Sequence, residues 1–219
     1  MRLKDVGILW DLDGTVIDSK ECHYLTWRDT FRKFGFDLDH SLFDTQFGRN
    51  NQATIPIYLG FEPDEELAES LAEEKERLFR QLAPQQTTLI PGVKDWLRQA
   101  KVRHVPQAIA SSASQENINV VIASFGLSPF FDALISGEFL PAKPKPDVFL
   151  QAASALNRHP KYCLVIEDSL SGIQAAKNAG MRCVAVSTSH PQAKLTQADL
   201  VIDDFTFPFE EMLKQLNIV

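Results

Sequence analysis

The 219-residue sequence has few cysteines, no excess of positive charge and no long hydrophobic run. Its three cysteines, Cys22, Cys163 and Cys183, lie far apart, with no C-x-x-C pair and no histidine at zinc spacing. We therefore expect neither structural disulfides nor a zinc site. No window approaches the roughly 18 apolar residues that span a bilayer, and the first residues are too weakly apolar for a signal peptide. These absences predict a cytoplasmic protein.

Basic residues are outnumbered by acidic ones, which gives a formal net charge of -7 and a pI near 5.2. A nucleic-acid or anionic-membrane partner would need a basic face. We therefore expect neither kind of partner. The 44% hydrophobic content is ordinary for a globular protein, and the sequence contains no internal repeat and no low-complexity tract.

Short apolar runs alternate with longer helical stretches from about residue 92 onward. This pattern is typical of a parallel sheet flanked by helices. The predicted strands are Val6–Trp10, Val105–Ala110, Ala133–Ser136, Tyr162–Ile166, Cys183–Ser187 and Leu200–Ile202.

The segment after the first strand breaks this alternation, because its apolar residues recur at helical spacing. It predicts helices over Glu21–Phe34 and Pro63–Leu82, with a polar linker at Gln85–Thr88. The expected division is a core domain of residues 1–18 and 89–219, with a helical domain of residues 19–88 inserted into it.

Polar side chains that can take part in catalysis or ligand binding follow four of the predicted strands. Asp11 and Asp13 come directly after the first strand, two positions apart, where one can act as a nucleophile and the other as a general acid and base. The carboxyl ends of parallel strands share one edge of a sheet, so residues after each strand should converge there. The others are Ser111 with Ser112, then Lys143, then Glu167 with Asp168.

Each of these motifs also has a structural interpretation. The D-x-D-G motif could form a turn, although it is not an EF-hand loop, because Val16 stands where that loop needs glycine. Ser112 and Gln115 have the spacing of a helix capping box. Lys143 could be a solvated loop residue, and Glu167–Ser169 could simply begin a helix. These interpretations do not explain why all four motifs follow different strands.

Four ordered motifs resemble those of the haloacid dehalogenase superfamily. They are Asp11-Leu12-Asp13-Gly14-Thr15, Ser111, Lys143-Pro144-Lys145-Pro146-Asp147 and Glu167-Asp168-Ser169. The phrase Gly172–Met181 and the helical insert resemble the branch of capped phosphatases and beta-phosphoglucomutases. The resemblance implies an α/β fold: a Rossmann-like three-layer core with a parallel sheet and an inserted α-helical cap domain. Two departures, Trp10 and Ala142, stand where the superfamily more often has phenylalanine and glycine.

The resemblance implies a Mg²⁺-dependent phosphatase that acts on a small phosphorylated metabolite, such as a sugar phosphate. Asp11 would attack phosphorus to form an aspartyl-phosphate, and Asp13 would serve as general acid and then as general base. Lys143 would balance the negative charge. The implied phosphate-binding residues are Ser111, Ser112 and Lys143, and the implied Mg²⁺ ligands are Asp11, the Asp13 backbone carbonyl, Asp168 and Glu167, the last through a bound water.

In the helical insert, the residues expected to meet the leaving group are His23, Arg49, Asn51 and Lys75. Lys75 has an alternative interpretation as part of a solvated charged face, and Trp27 as a helix core residue. His23 and Lys75 stand where beta-phosphoglucomutase has functional residues, but the arginine of the comparable loop is replaced by Asn51, with Arg49 upstream.

A sugar phosphate mutase is therefore the main alternative to a phosphatase. A dehalogenase would not use Asp13 or an acidic metal cluster. A non-catalytic binding protein on the same scaffold would usually have lost a motif residue, and none is missing. Because this kind of cap closes without a partner chain, we expect a monomer or a weak homo-oligomer.

Overall fold

The computed structural model describes residues 3–47 and 50–218. The chain forms two compact units. The core unit consists of Met1–Asp18 and Thr88–Val219, and the helical unit consists of Ser19–Thr87. The assignment of the helical unit as a cap domain stays a prediction.

The core unit contains a six-stranded sheet whose neighbouring strands are all parallel. The strands in chain order are β1 (Gly7–Trp10), β2 (Ile17–Asp18), β3 (Thr88–Leu89), β4 (Gln107–Ser111), β5 (Ala133–Ser136), β6 (Cys163–Glu167), β7 (Arg182–Val186) and β8 (Leu200–Ile202). The order across the sheet is β5-β4-β1-β6-β7-β8, while β2 and β3 form a separate antiparallel pair. The predicted α/β class is confirmed. Two of the six predicted strands match their observed bounds at both ends, and the other four lie within two residues of them.

Helices of the core unit cover the sheet. They are α5 (Val93–Val102), α6 (Gln115–Ser124), α7 (Asp147–Ala155), α8 (Leu170–Asn178) and α9 (Phe209–Gln215). Leu9 of β1 packs in an apolar cluster with residues of α7 and α8, whereas the ring of the next residue, Trp10, lies against Phe205. Successive residues of a strand point to opposite faces, so β1 is buried from both sides.

The helical unit contains α1 (Lys20–Lys33), α2 (His40–Gln46), α3 (Asn51–Leu59) and α4 (Glu65–Gln86). Asp39, Asn50 and Asp64 cap the last three, each accepting a hydrogen bond from the backbone N–H three residues on. Trp27 is buried in the aromatic and aliphatic core of this unit, which confirms its interpretation as a core residue.

The end of α4 differs from the prediction. The helix continues through Pro84 to Gln86, so the predicted linker at Gln85 is wrong. Proline disfavours a helix interior because it lacks an N–H and crowds the preceding turn. Here Ala83 is fully buried, and Thr87 closes the helix by donating from both its N–H and its hydroxyl to the Ala83 carbonyl, at 3.1 and 2.6 Å. Burial and this closure outweigh the local preference.

The structure also shows the state of the cysteines and the character of the helices. Cys22, Cys163 and Cys183 are all buried and free. Within the residues that the structure describes, no helix combines the length and the apolar character needed to cross a bilayer.

Trp10, the unusual residue before the first aspartate, is accommodated by a buried glutamine. Its indole Nε1 donates to Gln107 Oε1 at 3.1 Å. The Gln107 amide donates in turn to the carbonyls of Leu97 and Phe130, at 3.1 and 3.2 Å. Gln107 is fully buried, so these bonds replace water for every polar atom of its side chain.

We predict that Gln107→Leu lowers the free energy of unfolding by about 3 kcal/mol, because it leaves the Trp10 indole N–H and two carbonyls without these partners. Denaturant unfolding followed by tryptophan fluorescence measures the change. Gln215→Leu, at an exposed glutamine, is the control and should change stability by less than about 0.5 kcal/mol. Equal losses of stability in the two variants would contradict the role of Gln107 as a buried hydrogen-bond partner of Trp10.

Candidate active site

A buried lysine joins the loops that follow three strands. Lys143 Nζ lies 2.5 Å from Asp11 Oδ1 and 2.7 Å from Glu167 Oε1. Asp11 directly follows β1, and Glu167 ends β6, the strand beside β1 in the sheet. The ammonium group also lies 4.8 Å from the centre of the Phe149 ring. The structure thus brings together three of the residues predicted to form the site.

Both carboxylate oxygens of Glu167 accept hydrogen bonds. While Oε1 accepts from Lys143, Oε2 accepts from the backbone N–H groups of Asp168 and Ser169 and from the Ser169 hydroxyl, at 2.7 to 2.9 Å. A Cβ atom on Gly172 would overlap this carboxylate, so glycine is required there for Glu167 to fit. Ser169 also caps α8, so the predicted helix start and the acidic site occupy the same residues.

Asp168 is buried and held by two hydroxyl groups. Thr15 Oγ1 donates to its Oδ1 at 3.2 Å, and Ser189 Oγ donates to its Oδ2. Gly14 adopts a φ of 81°, and a Cβ atom there would overlap the Asp168 carboxylate. Ser189 did not emerge from the sequence analysis, although it follows β7 and the rule that located the other residues would have found it.

The carboxylates and the lysine shift one another's titration. Burial raises the pKa of Asp11 to about 7, and Lys143 opposes this shift. Burial, together with Glu167 and Asp11, raises the pKa of Asp168 well above its usual range. Burial alone would lower the pKa of Lys143, but Asp11 and Glu167 raise it above its ordinary value. The lysine therefore stays charged and favours the ionised form of Asp11.

The predicted phosphate-binding serines lie in different surroundings. Ser111 ends β4 and is buried, with its hydroxyl accepting from the Ala113 N–H at 3.1 Å. Ser112 is exposed, and it does not cap the following helix: Ser114 is the cap of α6 and accepts from the Asn117 N–H. The capping-box interpretation of Ser112 is therefore wrong. Asp13 is half-buried in the loop between β1 and β2.

In the helical unit, three of the four predicted residues belong to one polar and aromatic cluster. Lys75 is 4% exposed, so its interpretation as a solvated residue is wrong. Its ammonium group pairs with Glu76 Oε1 at 2.8 Å, and the Asn51 amide donates to the same oxygen at 2.8 Å. His23 stacks on Phe79, which Lys75 also contacts. Arg49 lies outside the described residues.

A profile for haloacid dehalogenase-like hydrolases matches residues 8–186, which include every motif that follows the strands of the site. The chain belongs to this family. The resemblance inferred from the four motifs and the prediction of a hydrolase of this superfamily are both confirmed.

Relatives of this haloacid dehalogenase-like hydrolase include enzymes of more than one kind. It is 30% identical to validoxylamine A 7'-phosphate phosphatase of Streptomyces hygroscopicus subsp. limoneus, over 90% of this chain and 93% of that protein. It is 32% identical to the chloroplastic protein SUPPRESSOR OF QUENCHING 1 of Arabidopsis thaliana over 90% of this chain, which spans only 19% of that protein. The crystal structure of beta-phosphoglucomutase from Clostridium difficile superimposes with a TM-score of 0.84 at 29% identity, with 96% of each chain covered.

The acidic side chains of the hydrolase fit a hard divalent cation. Asp11, Glu167 and Asp168 each place a carboxylate oxygen within 4.8 Å of the other two. Oxygen donors with this much negative charge suit Mg²⁺ rather than a soft metal. Both oxygens of Glu167 already accept hydrogen bonds, which agrees with the expectation that Glu167 acts through a water.

We predict that the metal-free protein loses stability as the pH rises from about 4 to about 7. The Asp11 carboxyl has an ordinary pKa of 3.8 in the unfolded chain and about 7 in the folded one. Between these values the folded protein binds the extra proton, so the free energy of unfolding falls with pH. Thermal unfolding in EDTA at a series of pH values measures this slope.

The control is a pair of matched substitutions. Asp11→Asn removes one of the two carboxyls whose pKa burial raises, the other being Asp168, and should reduce the slope, whereas Asp37→Asn, at an exposed aspartate of the helical unit, should leave it unchanged. An unaltered slope in Asp11→Asn would show that the pH dependence arises elsewhere.

Proposed function

We propose that this protein is a magnesium-dependent phosphatase that hydrolyses a small phosphorylated metabolite through an aspartyl-phosphate intermediate on Asp11. The observation that carries the proposal is the contact of Lys143 with both Asp11 and Glu167 in a buried acidic cluster. A carboxylate nucleophile must meet a negatively charged phosphoryl group, so the site has to supply positive charge. A related phosphatase that matches along almost its whole length supports the same reaction class.

Two half-reactions follow from the proposed roles. Asp11 attacks phosphorus, a new bond forms from its carboxylate oxygen, and the bond to the leaving alcohol breaks as Asp13 donates a proton to that oxygen. Asp13 then removes a proton from water, which attacks the same phosphorus and releases Asp11 and inorganic phosphate. Asp13 returns to its protonated state, so the cycle balances.

The other residues of the site bind the phosphoryl group and neutralise its charge. Lys143, which is charged in the metal-free protein, neutralises Asp11 and then the phosphoryl oxygens. The Ser111 hydroxyl, at the end of β4, donates a hydrogen bond to a phosphoryl oxygen. Asp11, Asp168 and the Asp13 carbonyl, with Glu167 through a water, would hold Mg²⁺, which would supply further positive charge for phosphoryl transfer. Ser112 is a weaker candidate, since its side chain is exposed.

The second candidate function is a sugar phosphate mutase, and the structural likeness to beta-phosphoglucomutase supports it. A mutase must hold a second phosphate while the first is transferred, which requires free positive charge. In the helical unit the buried Lys75 is already paired with Glu76, and acidic residues outnumber basic ones in this segment. Among the described residues, the pairing of Lys75 therefore favours hydrolysis of a monophosphate. Recognition of the leaving group is assigned to His23, Arg49, Asn51 and Lys75, of which Arg49 lies outside the described residues.

We predict that phosphorus NMR separates the two reactions. The protein is incubated with Mg²⁺, beta-glucose 1-phosphate and a trace of glucose 1,6-bisphosphate, followed by a panel of other sugar phosphates. Growth of inorganic phosphate for any member, abolished by EDTA and by Asp11→Asn, is the expected result. Growth of glucose 6-phosphate would replace the phosphatase with the mutase.

We also predict that Lys143→Ala lowers kcat by about 100-fold or more, because it removes positive charge placed beside the attacking carboxylate. Lys145→Ala is the matched control, since Lys145 lies two residues along the same loop and is exposed. It should retain kcat within about twofold. Steady-state phosphate release measures both variants, and a similar loss in the two would argue against a special role for Lys143.

A further inference from the structure

Three consecutive hydroxyl residues follow β7, and each reaches a different loop of the sheet edge. Ser187 Oγ donates to Asp203 Oδ1 at 3.0 Å, just beyond β8. Thr188 Oγ1 donates to the Gly14 carbonyl in the loop after β1. Ser189 Oγ donates to Asp168 Oδ2, just beyond β6. This hydroxyl segment, Ser187–Ser189, therefore connects the loops that follow β1, β6 and β8.

The segment itself is well fixed. The Ser187 N–H donates to the Ile202 carbonyl at 2.9 Å, and the Gln192 side chain donates to the same Asp203 oxygen at 2.8 Å. Ser189 is thus the only one of the three whose hydroxyl meets a residue of the acidic cluster. A Cβ atom on Gly14 would lie 2.8 Å from Ser189 Oγ, so the two loops already approach as closely as glycine permits.

We propose that Ser189 is a positioning residue for Asp168, which it orients so that the carboxylate can bind Mg²⁺ beside Asp11. This inference rests on the proposed function, because it requires Asp168 to be a metal ligand. Asp168 has two hydroxyl donors, Thr15 on Oδ1 at 3.2 Å and Ser189 on Oδ2. A donor on each oxygen fixes the plane of the carboxylate and leaves its remaining lone pairs for the cation.

Ser189 and its neighbour Thr188 also connect Asp168 to the loop that follows β1. Thr188, the neighbour of Ser189, holds the carbonyl of Gly14, which directly follows Asp13. The orientation of Asp168 and the position of the Asp13 backbone are therefore set by adjacent residues of one segment. Partners that orient metal ligands in this way usually change metal affinity about 10- to 100-fold when they are removed.

The test is the affinity of the purified protein for Mg²⁺, measured by isothermal titration calorimetry without substrate. Ser189→Ala should raise the Kd about tenfold or more. Ser189→Thr, which restores the hydroxyl, should bring the Kd back to within about threefold of the wild-type value. Ser187→Ala is the matched control, because its hydroxyl lies in the same segment but contacts Asp203 instead. Its Kd should stay within about twofold of the wild-type value.

The outcomes separate the two proposals. If the wild-type protein does not bind Mg²⁺, the proposed function fails and the role of Ser189 fails with it. If the wild type binds but Ser189→Ala binds equally well, or Ser187→Ala weakens binding as much, only the role of Ser189 is overturned. Ser189→Cys removes the hydroxyl with little change in size, and it replaces the alanine variant in the same comparison if that variant does not fold.

Discussion

The pairing of Lys143 with Asp11 and Glu167 is the interaction on which the rest of the site depends. Three carboxylates lie close together and out of water, an arrangement that costs several kcal/mol for each unpaired charge. The Lys143 ammonium group forms ion pairs with two of them, at 2.5 and 2.7 Å. It cannot neutralise all three, and burial accordingly raises the pKa of Asp11 and of Asp168, so that without a cation these carboxyls take up protons more readily. A divalent cation placed among these oxygens would supply the positive charge that Lys143 alone does not.

The order of the strands in the sheet is enough to place these groups together. Each of the acidic residues stands at or just after the end of a strand in the middle of the parallel sheet, and Lys143 reaches them from the loop between β5 and α7. Glycine then allows the backbone to come close enough: Gly14 leaves room for Asp168, and Gly172 leaves room for Glu167. The chemistry thus depends on small residues that carry no functional group themselves.

Much of this arrangement follows from the sequence, because apolar runs mark buried strands and polar residues after them mark the active edge. The sheet strands and the grouping of Asp11, Lys143, Glu167 and Asp168 are predictable on those grounds. The same rule places Ser187, Thr188 and Ser189 at this edge, but it does not say which of them contacts Asp168, since that depends on how the loop after β7 turns. The extension of α4 through Pro84 and the burial of Lys75 are tertiary effects, in which packing outweighs the local preference of proline and the solvation of a charged side chain.

The short antiparallel pair of β2 and β3 has a consequence for how the chain is connected. Asp18 pairs with Thr88, so the chain leaves the core unit and re-enters it at neighbouring positions of one small ribbon. Any segment with ends about 5 Å apart can be spliced between these two residues without altering the connections of the sheet. The length and composition of residues 19–87 can therefore change while the sheet, and the acidic cluster at its edge, stay connected as they are.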